Sequence, residues 1–118
     1  MIYNQDVMNT ITHDAFKEID IRVGRVIRAE SFPKAHKPAI KLWLDLGALG
    51  IKQSSAQLTQ RYQHHDLVGR QLLAVVNLPP RQIADFISEV LVLGVVNDEN
   101  DVILVTPDQT ANLGNRVL

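Results

Sequence analysis

The stretch AIKLWLDLG, Ala39 to Gly47, constrains this chain more than any other. Ile40, Leu42, Leu44 and Leu46 alternate with Lys41, Trp43 and Asp45, and strict alternation over this length fits a half-buried β-strand and no helix. An earlier stretch, IDIRVGRVIRAE, puts Ile19, Ile21 and Val23 on one face until Gly24 interrupts, where a strand bulges or bends. SFPKAHKPA between the two holds two prolines and two lysines and reads as an exposed loop. LGIKQS is a third strand, joined to the second through a tight Gly-Ala-Leu-Gly connection. QLLAVVNL and EVLVLGVV are apolar runs of strand length and read as buried strands, joined by the proline-stiffened NLPPRQIADF. NDEND is a turn, and VILVTP a further strand.

Two short helices complete the reading. THDAFKEI is capped by Thr12. In QSSAQLTQRY, Ser54 followed by Gln57 has the spacing of a capping box, with Leu58 and Tyr62 facing the core of a helix that stops near Gly69. The order is three strands, a helix, then two or more strands. It matches an all-β domain with short helices, the five-stranded Greek-key barrel of the oligonucleotide/oligosaccharide-binding (OB) fold with extensions at both ends. Residues 1–118 are expected to form one domain of this kind, with 1–15 and 107–118 as the extensions.

Composition removes several functions. With no cysteine there is no disulfide scaffold, thiolate zinc site or cysteine nucleophile. No run approaches the roughly 20 apolar residues that span a bilayer, and MIYNQDVMNT lacks the basic and apolar regions of a secretory signal. A cytoplasmic protein without membrane insertion is expected. A serine nucleophile needs a base within reach, but His36 lies among loop lysines and His64 and His65 lie on a polar surface segment. There is no GxSxG, P-loop or dinucleotide fingerprint. The histidines lack ligand spacing, so neither a metal nor a cofactor is expected.

The net charge of −1 hides a lopsided distribution. Arg22, Arg25, Arg28, Lys34, Lys37 and Lys41 face the single acid Glu30 between Ile21 and Lys41, whereas Gln82 to Asn115 carries acids and no Lys or Arg. A basic side suits a polyanion or an acidic partner; solvated strand faces would give the same pattern.

DIRVGRVIRAESFPKAHKPAIKLWLDLG, IKQSSAQLT, VVNLPPR and SEVLVLG resemble the tRNA-binding domain family, from about Phe16 to the C-terminus. The similarity is greatest to its bacterial CsaA branch of small dimeric export-related chaperones. QSSAQLT is the CsaA-like variant of a segment that in general members reads Ser-Gly-Leu or similar. Val90-Leu91 stands where those members have Gly-Met. The resemblance implies no enzymatic activity. It implies a homodimer that binds unfolded or precursor polypeptides and works with the export machinery, or alternatively a tRNA-binding module accessory to translation.

In this barrel ligands lie across strands two and three and the flanking loops. Those elements supply Lys34, Lys37, Lys41, Trp43, Lys52, Ser54, Ser55, Asn77, Arg81 and Ser88 as the expected ligand groove. Aromatic residues make up 5% of the chain, so stacking platforms for bases are scarce, with Trp43 the one candidate. Cations beside apolar surface also suit extended polypeptide. Apolar residues at chain ends usually dock onto something. In CsaA-like proteins the ends build the dimer, which assigns Ile2, Tyr3, Val7, Met8, Leu113 and Val117 to dimer contacts.

Overall fold

The structure is a computed structural model that describes residues 9–99 and 101–118. Its elements are α1 (His13–Lys17), β1 (Ile21–Phe32), β2 (Ala39–Asp45), β3 (Ile51–Ala56), α2 (His64–Leu67), β4 (Gln71–Val75), β5 (Arg81–Ile83), β6 (Phe86–Ser88), β7 (Leu91–Val92), β8 (Gly94–Val96) and β9 (Val102–Leu104). Five strands form one curled antiparallel sheet in the order β3-β2-β1-β4-β7, an OB-like half-barrel. Two hairpins, β5–β6 and β8–β9, are appended to it.

β2 follows its alternation. Ile40, Leu42, Leu44 and Leu46 are at most 2% exposed and join Val26, Leu58, Leu67, Leu72, Ala74, Val90 and Leu104 in the main core. β1 departs from expectation. Gly24 and Val26 face the Leu44–Leu46 side; a Cβ on Gly24 would lie 2.9 Å from Leu46 Cδ2. The glycine therefore marks a close approach between strands. The bulge is at Ile27, where the register slips between Val26 opposite Leu44 and Arg28 opposite Trp43. That extra residue inverts the parity of the strand. Beyond it Arg28, Glu30 and Phe32 share a face with Trp43, Lys41 and Ala39.

α1 is capped as expected, Thr12 Oγ1 accepting from the Ala15 N–H at 3.0 Å. The capping box at Ser54 is not formed. Ser54 lies within β3 opposite Leu42, because the ladder with β2 continues through Ala56. Only a turn follows, the Tyr62 N–H bonding Leu58 O, and the helix begins at His64, which puts His64 and His65 inside it. EVLVLGVV is likewise not one buried strand. It changes partners at Leu93, leaving β4 and pairing with β9, and Leu91, Val95 and Val96 are half or more exposed. NLPPRQIADF contains the first strand and turn of the β5–β6 hairpin, with Ala84 at φ 53° in the turn. Asp98 and Glu99 turn the chain as expected, the Asn97 N–H bonding Asp101 O at 2.8 Å.

β2 ends at Asp45, so the first half of β1 would keep an open edge. The C-terminal segment covers it: Gly114 N–H donates to Val23 O, Val23 N–H to Asn115 O and Val117 N–H to Ile21 O. Two glycines let this segment approach the β2–β3 connection. A Cβ on Gly47 (φ 63°) would lie 2.4 Å from Leu113 O, and one on Gly114 (φ 84°) 2.5 Å from Leu46 O. Arg22 pins the same corner, donating to Asp20 Oδ1 at 2.6 Å and to Gly114 O at 3.0 Å. Arg116 approaches Asp20 at 3.5 Å. The hydrogen bond from Arg22, helped by the charges of Arg22 and Arg116, holds the Asp20 carboxyl below its ordinary 3.8.

Gly114→Ala should therefore cost roughly 1–3 kcal/mol through strain and overlap. Gly50→Ala, at φ 84° but facing open space, should cost less; urea midpoints compare the two. A depressed carboxyl stabilises the fold above its unfolded-state value, and that contribution is lost as pH falls through the lower native value. The stability gap between wild type and Asp20→Asn should accordingly shrink below about pH 4, as read by thermal unfolding from pH 7 to pH 2.5.

Candidate functional site

The expected groove residues separate into three groups. On the outward face of β1 and β2, Trp43 stands edge-on to Phe86 (centroids 5.8 Å apart), and Phe86 edge-on to Phe32 at 5.5 Å. The Arg28 guanidinium lies 4.4 Å from the Trp43 ring centre, and Lys41 Nζ lies 4.8 and 5.1 Å from the Phe32 and Phe86 ring centres. Phe86 arrives on the β5–β6 hairpin and buries Phe32 and Ala39 in a second small core. Trp43 thus supports that hairpin, and its ring contacts are taken by Phe86 and Arg28. Lys34 caps the hairpin from the loop before β2, its ammonium 3.0 Å from Asp85 Oδ2. That hydrogen bond is the first cause lowering the Asp85 carboxyl. The basic loop and the acidic half therefore meet here.

A second group joins β3 to the segment after β6. Ser54 is 1% exposed, and its hydroxyl donates to Val90 O at 2.8 Å. Beside it, Glu89 N–H donates to Gln53 O at 2.8 Å while Gln53 N–H donates to Glu89 Oε1 at 3.0 Å. Ser55 N–H donates to Ser88 Oγ at 3.1 Å. These bonds draw the two edges of the curled sheet together.

Past Ser55 the edges separate around a groove of about 520 Å³. Lys37, Ser55 and Arg81 are brought together on its lining, with His36, over apolar surface from Leu58, Ile83, Leu91 to Leu93, Val96 and Val102. Lys37 and Arg81 are exposed. The groove continues past Lys37 and Gln57 to Gln60 between the same Val96 and Val102.

Two expected residues lie elsewhere. Asn77 is tied to the end of α1, accepting from Asp20 N–H at 2.9 Å and donating to Glu18 O at 2.6 Å. Lys52 sits opposite Leu44 on the core-facing side of β3, whereas Gln53 and Ser55 share the face of Trp43 and Lys41. Of the expected dimer contacts, Ile2, Tyr3, Val7 and Met8 lie outside the described residues. Leu113 and Val117 are partly buried in the segment along β1. Arg28, Phe32, Phe86 and His36 were not assigned to the site, nor were the individual residues of the groove's apolar lining. Arg28 is placed by a bulge that no glycine signals, and Phe86 by a hairpin whose turn residue is an alanine. Among the described residues no group of three or more His, Asp or Glu side chains could hold a metal, and no helix is long and apolar enough to cross a membrane.

The family model for the tRNA binding domain matches residues 21–116. The chain belongs to the tRNA-binding domain family. Crystal structures of the chaperone CsaA are similar over nearly all of it. That from Bacillus anthracis str. Ames is 46% identical with a TM-score of 0.89, covering 93% of this chain and 100% of the other. That from Picrophilus torridus is 45% identical with a TM-score of 0.86, covering 92% and 100%. A methionine–tRNA ligase from Methanocaldococcus jannaschii is 34% identical over 110 residues, 93% of this chain but 17% of the ligase. This chain thus spans about a sixth of the ligases it matches.

Ser54→Ala should leave the Val90 carbonyl with only the longer bond from Ser88 Oγ at 3.4 Å and cost about 1–3 kcal/mol. Ser55→Ala, which keeps the backbone bond to Ser88 Oγ, should cost under about 0.5 kcal/mol. Chemical denaturation of the two variants measures the difference.

Proposed function

We propose that this protein is a non-enzymatic, chaperone-like binder of unfolded or precursor polypeptides, acting in the cytoplasm as a homodimer in an export-related role. The groove carries this reading. Its apolar lining suits side chains exposed by unfolded clients, and the cations Lys37 and Arg81 at its lip suit client carboxylates. The two solved chaperones similar over almost all of this chain support it. No metal or cofactor enters the reading. The dimer would use the N-terminal residues Ile2, Tyr3, Val7 and Met8 with Leu113 and Val117, and a second groove on the same side would add avidity.

A tRNA-binding role accessory to translation is the second reading. It is favoured by the family itself and by Lys37, Arg81 and His36 along one groove. Salt dependence separates the two. Binding of structured tRNA releases counterions, so its affinity falls steeply between about 50 and 200 mM salt, whereas capture by apolar pockets changes little.

Titration of the purified protein with reduced, carboxymethylated α-lactalbumin and with bulk tRNA, each at both salt concentrations, is the test. Saturable α-lactalbumin binding that persists at the higher salt, with Lys37→Glu/Arg81→Glu weakening it less than it weakens tRNA binding, is the expected result. Saturable tRNA binding with no polypeptide binding would replace the first reading by the second. Light scattering should give twice the mass of one chain.

A further inference from the structure

β3 and the strand from β7 to β8 form the two walls of the groove, and the hydrogen-bond ladders fix which way their peptide groups point. On one wall, Asn97 N–H donates to Asp101 O and Val105 N–H to Leu93 O. In an antiparallel pair, the residues that bond their partner alternate with residues whose N–H and C=O point to the opposite side. Residues 93, 95 and 97 therefore serve β9, and Gly94 and Val96 direct their peptide groups towards the groove. Val92 does the same, since Leu93 N–H bonds Leu73 O on β4. On the other wall, Gln53 spends both of its peptide groups on the far edge, bonding Glu89. The same alternation turns Ser55 away from β2, where its N–H is taken by Ser88 Oγ, and Ser55 and Gln57 both line the groove.

We infer that the groove takes its client by strand addition. An extended polypeptide segment lies along Val92, Gly94 and Val96 and bonds their peptide groups, continuing the sheet where the barrel is open. The inference rests on the polypeptide-binding reading and adds its mode and its code. Three groove-directed residues at alternate positions span about 14 Å of strand, the reach of about four to five client residues. Alternate client side chains point inward over Ile83, Leu58 and Val102, so the client has period-2 apolar residues. Lys37 and Arg81 bear on the same opening, so a client carboxylate beside the apolar run adds affinity. A folded or helical client spends its peptide groups internally and gains none of this.

The test uses the fluorescein-labelled peptide acetyl-Asp-Val-Thr-Val-Ser-Val-Thr-amide and two versions N-methylated on its valines or on its hydroxyl residues. Methylation keeps every side chain and deletes alternate N–H donors. Loss of affinity by tenfold or more in at least one methylated version is expected. On the protein side, Val96→Pro removes a groove-directed N–H and leaves the β9 ladder intact, because proline is tolerated where its nitrogen faces away from the paired strand. It should bind the parent peptide at least tenfold more weakly. The methylated peptides keep the test decisive even if that variant misfolds. Methylated versions as tight as the parent, or a parent peptide that stays unbound while carboxymethylated α-lactalbumin binds, would overturn strand addition and leave the polypeptide-binding reading standing. Failure of α-lactalbumin and peptide alike would remove that reading itself.

Discussion

A curled five-stranded sheet has two edges that must either meet or face water, and in this protein their meeting depends on one buried hydroxyl. Among the described residues Ser54 is the single buried polar one, and its bond to Val90 O fastens β3 to the residue that leads into β7, the strand that pairs with β4. A buried hydroxyl without a partner is costly, so the bond and the burial require each other. The reciprocal Gln53–Glu89 pair stands beside it. With both edges held at this point, Val90 completes the core around Leu42 and Leu44. The edges beyond it remain apart, and the same clasp that closes the barrel below defines the groove above.

That dependence explains what could be read from the chain. β2 was fully legible because its core-facing side is apolar at every second position and its register with β3 has no irregularity. The cap of α1 was legible because it is local, three residues from donor to acceptor. Ser54 was misread for the converse reason. Its partner is 36 residues away, and a serine three residues before a glutamine satisfies a local rule that tertiary pairing overrode. The bulge at Ile27 left no trace either. No glycine, asparagine or proline marks it, and its cause lies in the need to carry β1 across the curl of the sheet. The two residues after it, Arg28 and Ala29, exchange faces as a result.

The groove was legible in part. Lys37, Ser55 and Arg81 were named from the elements that flank the ligand face of an OB barrel, and they do line one groove. Lys34, Lys41 and Trp43 were named on the same grounds and instead hold the β5–β6 hairpin. Charge alone does not distinguish a cation that waits for a ligand from one already occupied by Asp85 or by two phenyl rings. The distinction needs the hairpin, and the hairpin was hidden in a proline-rich connection.

The corner formed by Gly47 and Gly114 has a consequence for how the molecule comes together. The edge of β1 that it covers is made early, but Gly114, whose carbonyl Arg22 holds, is translated 92 residues later. Closing a loop of that length carries an entropic penalty that local contacts do not. Until it closes, the first half of β1 has a neighbour on one side only, and an unpaired edge is the surface on which chains stick to one another. Arg22, Arg25 and Asp20 lie along or beside that edge, so its charges keep nascent chains apart while the cover is still being synthesised. Arg22, which pins the finished corner, is therefore also one of its guards during assembly.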